Sequence, residues 1–266
     1  MLTCCTVILM ISISAKSAAL MWQEDRYREI LRSPGKADLL VKIWREAFQD
    51  DYPEDADPFG FVTLSDLRRF AAELGIESGS RLLDIGCGRG GPGLWIARNT
   101  GAILIGLDIL PEAVAQASEL RDRMGLSRSA SFSVGSFAST SLASDSVQAI
   151  MSVDAFWMVL DKTAALVELA RVIRRGGRFV MTSWIPPYLD IEATLSGAGF
   201  RLVLREETVN WRERQLAVYR GILKNRRELE SVLGAAAAQV LIAEAQQTPA
   251  KLSTAPRYLV VAERLS

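Results

Sequence analysis

The residues whose types and spacing could do chemistry are concentrated in one short stretch, RLLDIGCGRGGPG, at positions 81–93. An apolar run there leads into a turn built mainly of glycine, and Pro92 then opens a helical stretch. Glycines permit a positive φ and a close approach of the backbone to a ligand, and the start of a helix offers free N–H groups. Gly86, Gly88 and Gly91 also satisfy the GxGxxG spacing of dinucleotide-binding turns. The stretch therefore predicts a nucleotide-like ligand at this turn.

Asp84 stands at the end of the apolar run and discriminates between two classes of ligand. Its carboxylate would repel the pyrophosphate of NAD, whereas S-adenosylmethionine has no phosphate and carries an α-ammonium and a sulfonium. Opposite charges about 4 Å apart attract by about 4 kcal/mol in an intermediate dielectric, before the cost of desolvation is subtracted. We therefore predict S-adenosylmethionine as the ligand and keep NAD as the alternative. A purely structural role, in which Asp84 caps the turn through backbone hydrogen bonds, also remains open.

A second carboxylate, Asp108, ends the apolar run ILIGLD, about 20 residues after Gly86. An acid at this spacing bonds the ribose hydroxyls in dinucleotide-binding domains, and we expect the same contact with S-adenosylmethionine. The side chain of Ile109 would then pack on the adenine face. These two residues predict an adenosine-containing ligand without selecting between the two candidates. A solvated aspartate at a strand end is the alternative.

The composition of the 266 residues excludes several classes of chemistry. The chain contains no histidine, which excludes Ser-His-Asp hydrolysis, Cys-His nucleophiles and the usual zinc sites. Its three cysteines, Cys4, Cys5 and Cys87, form no CxxC pair, so neither a disulfide framework nor a metal site is expected. Lysine and arginine together number 31, against 31 aspartate and glutamate residues. No excess of positive charge therefore favours a nucleic-acid partner.

Around the turn, β-rich apolar runs alternate with helical ones, which indicates a mostly parallel sheet covered by helices on both faces. The predicted strands are RLLDIG, AILIGLD, SASFSVG, SVQAIMSVD and GRFVMTSW, followed by FRLVLREE and RYLVVAE. Helices are predicted after Pro92, Pro111 and Asp161, the last of them ending at Gly176. Residues 211–246 read as a helical insert between the final two strands. This insert is either a lid over the site or a packed peripheral helix.

The N-terminal part of the chain differs from the alternating region. Residues 1–20 are apolar with no basic residue ahead of their apolar core, so they read as a misplaced translation start or a weak signal-like segment. Their apolar run is too short to span a bilayer, and we expect no stable membrane insertion and a cytoplasmic location. Residues 21–75 read as helices that form part of a lid, with Thr63 and Asp66 at capping-box spacing. Residues 76–266 are predicted to form the ligand-binding domain.

Three segments, LLDIGCGRGG, GLDI and RVIRRGGRFVMTSW, resemble the class I S-adenosylmethionine-dependent methyltransferases. The likeness is to bacterial small-molecule enzymes of the ubiquinone-biosynthesis and natural-product type, over roughly residues 60–207. It implies an α/β, Rossmann-like, doubly wound, mostly parallel seven-stranded sheet with an antiparallel last strand, a helical N-terminal segment and a small helical cap. The implied cofactor-binding residues are Asp84, Gly86, Gly88 and Gly90 around the methionine portion, Asp108 at the ribose, Ser136 and Phe137 at the adenine, Ser152 on the floor, and Cys87 and Ile109 beside them.

The sequence departs from the family pattern at two places. The family usually has Gly-Asp after the third strand, with the acid bonding the adenine amino group, whereas this chain has Gly135 and Ser136. A serine can still accept one hydrogen bond. Relatives often carry histidine near the positions of Trp157 and Met158, so a histidine base is excluded here. Asp154 is the acid predicted to remove a proton from an acceptor that needs it, and ordering a loop is its alternative role.

We predict an S-adenosylmethionine-dependent methyltransferase that acts on an O, N or C nucleophile of a small, apolar or aromatic metabolite. Holding the nucleophile in line with the methyl group removes much of the barrier to displacement at the sulfonium carbon. Trp157, Trp184 and Tyr188 are the predicted acceptor-binding residues, because aromatic rings stack on planar substrates. One alternative is a non-catalytic protein that binds S-adenosylmethionine or S-adenosylhomocysteine. Another is an NAD-dependent oxidoreductase, which the absence of a Tyr-x-x-x-Lys pair disfavours. A homodimer is a further expectation.

Overall fold

The structure is a computed structural model that describes residues 25, 27–31, 38–56 and 60–265. The predictions made for residues 1–20 lie outside these ranges. The described strands are β1 (Arg81–Ile85), β2 (Ile103–Asp108), β3 (Ala130–Val134), β4 (Val147–Val153), β5 (Ile173–Trp184), β6 (Phe200–Glu207) and β7 (Arg257–Arg264). The helices are α1 (Asp38–Phe48), α2 (Leu64–Leu74), α3 (Gly91–Thr100), α4 (Pro111–Arg123), α5 (Lys162–Val172), α6 (Ile191–Gly197), α7 (Trp211–Lys224), α8 (Arg226–Leu233) and α9 (Ala235–Gln247). Residues 27–31 are also helical.

The seven strands form one sheet in the order β3-β2-β1-β4-β5-β7-β6. Neighbouring strands run parallel from β3 to β5, whereas β7 lies antiparallel to both β5 and β6. The predicted doubly wound, mostly parallel sheet with a reversed last strand is therefore confirmed. The chain order changes direction between β1 and β4. In open α/β sheets, ligands bind beyond the carboxyl ends of the strands at such a point.

Helices cover both faces of the sheet because both faces are apolar. On one face α5 and α6 bury Leu166 and Ile191 among the sheet residues. On the other face α2, α3 and α4 contribute the buried side chains of Phe70, Leu94 and Leu120. The sheet is therefore a rigid platform between two helical layers, and only its carboxyl edge is left for the loops that follow β1, β2, β3 and β4.

The starts of two helices follow the capping signals in the sequence. The hydroxyl of Thr63 accepts a hydrogen bond from the Asp66 N–H at 3.1 Å, and the Asp66 carboxylate accepts one from the Thr63 N–H at 3.2 Å. The predicted capping box is therefore confirmed at the start of α2. Asp161 caps α5 through its side chain. The prediction that α5 ends at Gly176 is wrong, because the helix ends at Val172 and the next residue already pairs with β4.

A second apolar core lies in the helical cap, which we define as α1 together with α7, α8 and α9. The last three of these helices connect β6 to β7. Close packing of α1 against α7 depends on Gly221, because a Cβ added there would lie 2.7 Å from Cγ2 of Ile43. Val218, Ile222 and Leu241 are buried in the same core. Among the helices of the described ranges, none combines the length and apolar character needed to cross a bilayer.

Gly106 in β2 lies directly beneath the ring of Phe132, its register partner in β3. A Cβ built on Gly106 would lie 2.2 Å from Cδ1 and 2.3 Å from Cε1 of that ring, well inside the optimal carbon–carbon separation. The same ring would lie 2.9 Å from a Cβ added at Gly90. Phe132 therefore packs the glycine turn onto the sheet, and both positions must remain glycine for the ring to stay where it is.

We expect Gly106→Ala to lower the free energy of unfolding by about 1–3 kcal/mol, because overpacking displaces a ring in a close-packed core. Adding Phe132→Leu to that variant should recover part of the loss. Gly197→Ala is the matched control, since its added Cβ meets no atom within 4 Å and should stabilise the chain by about 0.4–1 kcal/mol. Urea unfolding of the three variants checks the prediction. Equal stability of Gly106→Ala and the wild type would contradict it.

Candidate active site

The glycine turn connects β1 to α3 and folds back onto the end of β2. The backbone N–H groups of Gly86 and Cys87 donate to the Leu107 carbonyl oxygen at 2.8 and 3.0 Å. Gly86, Gly88 and Gly90 have φ values of 70°, 54° and 80°. An L-residue at any of these positions would be strained, because its Cβ approaches the following carbonyl oxygen. The turn therefore has this shape only because it is built of glycine.

The three left-handed glycines of the turn differ in what surrounds them. A Cβ added at Gly86 would lie 2.6 Å from Cβ of Ala155 and 3.3 Å from the ring of Phe137. Gly90 is enclosed by the Phe132 ring, as described above. A Cβ added at Gly88, in contrast, would meet no atom within 4 Å. The backbone at Gly88 is therefore the part of the turn that a ligand can approach.

Asp108 binds this accessible part of the turn from the end of β2. Its Oδ2 accepts a hydrogen bond from the Gly88 N–H at 2.8 Å, and its Oδ1 accepts one from the Leu110 N–H at 3.0 Å. Partial burial raises the pKa of the carboxyl, and the backbone N–H groups around it lower that pKa. Each carboxylate oxygen has a second lone pair, so a pair of hydroxyl groups could donate to Asp108 without displacing the turn.

Asp84 lies in β1 with its side chain against Gly93 of α3, and it is only 1% exposed. Neither carboxyl oxygen has a hydrogen-bond partner within the described residues. Burial, followed by repulsion from Asp108, raises the pKa of Asp84 to about 8, although the nearby Gly93 N–H lowers it. A Cβ at Gly93 would lie 2.4 Å from Oδ2, so only glycine leaves room for this carboxyl. Asp84 is therefore a buried acid that becomes easy to ionise only when a cation lies nearby.

Two further predicted cofactor residues, Cys87 and Ser152, are buried. A Cβ at Gly106 would lie 3.2 Å from Sγ of Cys87, so the thiol packs against β2. Burial raises the pKa of this thiol well above its ordinary value, which makes it a packing group rather than a nucleophile. The hydroxyl of Ser152 in β4 is buried and has no hydrogen-bond partner among the described residues.

The remaining predicted cofactor residues lie at the ends of β2 and β3. Ser136 exchanges two backbone hydrogen bonds with Ser139, each of 3.1 Å. The Phe137 ring packs edge-on against Phe156 with their centroids 5.9 Å apart. Ile109 is 44% exposed. Because β3, β2 and β1 are adjacent and parallel in this order, these three residues lie at the same carboxyl edge as the glycine turn.

Three aromatic rings form a wall at the carboxyl ends of β4 and β5, which we call the aromatic wall: Phe61, Trp157 and Trp184. The centroids of Phe61 and Trp184 are 5.8 Å apart, and those of Trp157 and Trp184 are 6.1 Å apart. Both contacts are edge-to-face. The structure thus brings together two of the three predicted acceptor-binding residues. It separates the third, because the Tyr188 side chain is 91% exposed and cannot pack on either tryptophan.

The carboxylate of Asp154 does not face the site as a free base. Its Oδ1 accepts a hydrogen bond from Nε of Arg257 at 2.8 Å, and its Oδ2 accepts one from Nη2 at 3.2 Å. Asp154 also has a φ of 54°, which is uncommon for a residue with a side chain. Removing a proton from an acceptor would require this ion pair to open. The role of Asp154 as a base stays a prediction, and the ion pair favours the alternative role in ordering a loop.

Sequence reasoning missed Arg257, the partner of Asp154. The guanidinium is 1% exposed and also pairs with Asp66 at 2.9 Å. In the sequence Arg257 is the first residue of an apolar strand, where a solvent-exposed arginine is the ordinary expectation. The only indication in the sequence is its position as the first residue of that strand. Its partners Asp154 and Asp66 are 103 and 191 residues away in the chain.

A family model described as a methyltransferase domain matches residues 83–181. Sterol 24-C-methyltransferase erg6 of Aspergillus fumigatus is 29% identical over 148 residues, which are 56% of this chain and 39% of that protein. Methyltransferase GfsG of Streptomyces halstedii is 27% identical over 177 residues, which are 66% of this chain and 62% of that protein. The chain thus matches less than two thirds of the length of either relative.

Among solved structures, the cyclase SpnF superposes with a TM-score of 0.68 at 19% identity, over 86% of this chain and 93% of that one. This likeness shows the fold and leaves the reaction open. The family match runs from within β1, through the glycine turn, Asp108 and Asp154, into β5. Residues 83–181 therefore form a methyltransferase domain of the class I, S-adenosylmethionine-dependent family.

Proposed function

We propose that this chain transfers a methyl group from S-adenosylmethionine to an O, N or C nucleophile of a small, apolar or aromatic metabolite. The observation that carries the proposal is the open space at Gly88, beside a half-buried Asp108 and close to a buried Asp84 that lacks a hydrogen-bond partner within the described residues. Two carboxyl groups around an accessible backbone suit a ligand with hydroxyls at one place and positive charge at another.

In this proposal the predicted cofactor-binding residues have separate tasks. Asp108 accepts hydrogen bonds from the ribose hydroxyls while its bond to the Gly88 N–H holds the turn in place. Asp84 favours the positively charged methionine end, and Ser136 with Phe137 contacts the adenine. The bound cofactor supplies a methyl group on a sulfonium. The rest of the chain contributes by excluding water and by aligning the acceptor with that methyl group.

The acceptor is proposed to lie against the aromatic wall. Its rings provide apolar surface and, at their faces, attraction for a cation such as a sulfonium. One relative supports a small-molecule acceptor, since it is named for a sterol. Because Arg257 occupies both oxygens of Asp154, acceptors that need no base are favoured: a neutral amine, a phenolate or a stabilised carbanion.

A second candidate function is binding of S-adenosylmethionine without methyl transfer. It is favoured by the absence of histidine from the chain. The likeness to SpnF, which is named a cyclase, shows that this fold also occurs in a protein that is not named a methyltransferase. An NAD-dependent oxidoreductase is the third candidate. It is disfavoured because a pyrophosphate on the turn would lie close to the carboxyl groups of Asp84 and Asp108. A nucleic-acid partner is not expected, and a homodimer and a cytoplasmic location stay predictions.

Titration calorimetry separates these candidates. We expect S-adenosylmethionine and S-adenosylhomocysteine to bind and NAD to give no heat of binding. Incubation with methyl-labelled S-adenosylmethionine and a metabolite extract should then yield a labelled product that mass spectrometry identifies. Binding of NAD alone would overturn the proposal. Binding of the first two ligands with no labelled product across broad metabolite pools would favour the non-catalytic candidate.

A further inference from the structure

Arg257 is a buried cation at the same edge of the sheet as the glycine turn. Because β7 is antiparallel, its first residue lies beside the last residue of β5, where Trp184 is the register partner of Arg257. Besides its two bonds to Asp154, the guanidinium donates from Nη1 to Asp66 at 2.9 Å and to the Thr208 hydroxyl at 3.1 Å. We call these four side chains the arginine network. A planar guanidinium with directed N–H groups fixes the relative positions of all its partners.

Each ring of the aromatic wall is attached to this network. Phe61 precedes the capping box at the start of α2, whose Asp66 is bound by Arg257. The indole Nε1 of Trp157 donates to the Asp154 carbonyl oxygen at 2.9 Å. The ring of Trp184 lies with its centroid 6.0 Å from the guanidinium carbon. A single buried side chain thus connects the three separate chain segments that carry the wall.

The network is more directional than an apolar contact would be. Both carboxylates are mostly buried, with Asp154 and Asp66 side chains 9% and 13% exposed. Leaving either of them unpaired is costly, so the segments cannot slide past each other without breaking an ion pair. The edge-to-face contacts of the wall depend on ring orientation, and they therefore depend on these anchors.

We propose that Arg257 is a positioning residue that holds the aromatic wall in the geometry that meets the methyl acceptor. This inference rests on the proposed function for the identification of the wall as the acceptor site. It assigns no contact between Arg257 and the cofactor, because the network lies on the β4–β5–β7 side, whereas the glycine turn and Asp108 lie on β1 and β2. Loss of Arg257 should therefore act directly on the wall, and on the cofactor site only through Ala155, which lies beside Gly86.

The test uses the full chain labelled with 5-fluorotryptophan, which gives one fluorine resonance for each of the six tryptophans. In Arg257→Lys, which keeps the charge but cannot bind both Asp154 oxygens, we expect the resonances of Trp157 and Trp184 to shift. Hydrogen exchange in segments 60–63 and 154–158 should be at least ~10-fold faster, because the ion pairs that close these segments are lost.

Calorimetry with S-adenosylhomocysteine distinguishes an effect on the aromatic wall from an effect on the cofactor site. We expect its affinity for Arg257→Lys to stay within about threefold of the wild-type value, a change of less than one pKd unit. With the acceptor found in the methyl-transfer screen, its KM should rise while the KM for S-adenosylmethionine stays constant. Arg205→Met is the matched control, since Arg205 is exposed and lies over Tyr258 on the neighbouring strand.

Two outcomes would decide against the inference. Unchanged Trp157 and Trp184 resonances in a folded variant would overturn it, and so would a parallel loss of S-adenosylhomocysteine affinity. If Arg257→Lys does not fold, the triple variant Arg257→Met/Asp66→Asn/Asp154→Asn leaves no unpaired buried charge and is measured in the same way. Failure of the proposed function has a different signature, namely a wild-type chain that binds neither cofactor form while the tryptophan resonances still respond to Arg257.

Discussion

Replacing Gly86 by alanine is expected to abolish detectable cofactor binding and to lower the free energy of unfolding by about 2–5 kcal/mol. Two causes add. The φ of 70° at this position strains any residue with a Cβ, which costs about 1–2 kcal/mol. The added Cβ would also lie 2.6 Å from Cβ of Ala155, and such overpacking costs a further 1–3 kcal/mol, roughly. The loop after β4 would have to move, and the turn would lose its shape.

Gly88→Ala should separate the two effects, because its φ is 54° but its added Cβ meets no atom within 4 Å. We expect a stability loss of only about 1–2 kcal/mol from the backbone and yet at least a ~10-fold loss of S-adenosylhomocysteine affinity. Gly125→Ala is the matched control, with a φ of 71° and the same open surroundings, at the end of α4. It should lose the same stability and no affinity. Equal affinities of the Gly88 and Gly125 variants would remove the turn from the binding site.

Replacing Asp84 by asparagine is expected to change how stability depends on pH. With its pKa raised to about 8, the folded chain keeps a proton that the unfolded chain releases near pH 4. The folded state therefore binds more protons between these limits, and the free energy of unfolding falls as pH rises, by about 1.4 kcal/mol per pH unit. Asparagine does not titrate. The variant should therefore gain stability relative to the wild type, step by step, from pH 5 to pH 8.

Urea unfolding at pH 5, 6, 7 and 8 measures this slope. Glu168→Gln is the matched control, because hydrogen bonds from Arg171 lower the pKa of Glu168 to about 2. Its stabilising contribution is lost only as the pH falls below the unfolded value near 4.5. The difference between that variant and the wild type should therefore be constant from pH 5 to pH 8. A pH-independent difference for Asp84→Asn as well would mean that Asp84 stays ionised in the folded chain.

The same carboxyl should release its proton when a cation binds beside it. At pH 7 we expect close to one proton to be released on binding of S-adenosylmethionine, measured by calorimetry in two buffers of different ionisation enthalpy. Asp84→Asn should release none and bind the cofactor about 10- to 100-fold more weakly. S-adenosylhomocysteine keeps the ammonium but lacks the sulfonium, so comparing the two ligands identifies which cation Asp84 meets. No proton release with either ligand would leave Asp84 a structural role.

Several features could be predicted because they depend on neighbours in the chain. The capping box of Thr63 and Asp66 needs only residues three apart, and the glycine turn needs only the order strand, glycines, helix. The end of α5 was misplaced because Gly176 is a common helix terminator, whereas the real limit is the pairing of β5 with β4. The pairing of strands that are distant in the chain has no signature in the local sequence, and here it decides where α5 ends.

The candidate site, like the fold, could be predicted from the sequence only in part. Asp84 and Asp108 were identified from their positions at the ends of two apolar runs, but only the tertiary structure shows that Gly93 covers Asp84 whereas Asp108 stays partly exposed. Tyr188 shares with the tryptophans of the aromatic wall only its aromatic side chain. Its exposure follows from the path of the loop after β5, which leaves the ring in solvent.

The sequence by itself determined the alternation of strands and helices, the glycine turn with its two nearby carboxylates, and the exclusion of histidine chemistry. Only the tertiary structure decided that Arg257 binds Asp154 and Asp66, that Asp84 is buried without a hydrogen-bond partner in the described chain, and that the wall consists of Phe61, Trp157 and Trp184. The physical reason is range. Backbone propensity and capping act over a few residues, whereas burial and ion pairing depend on which distant segments the sheet brings together.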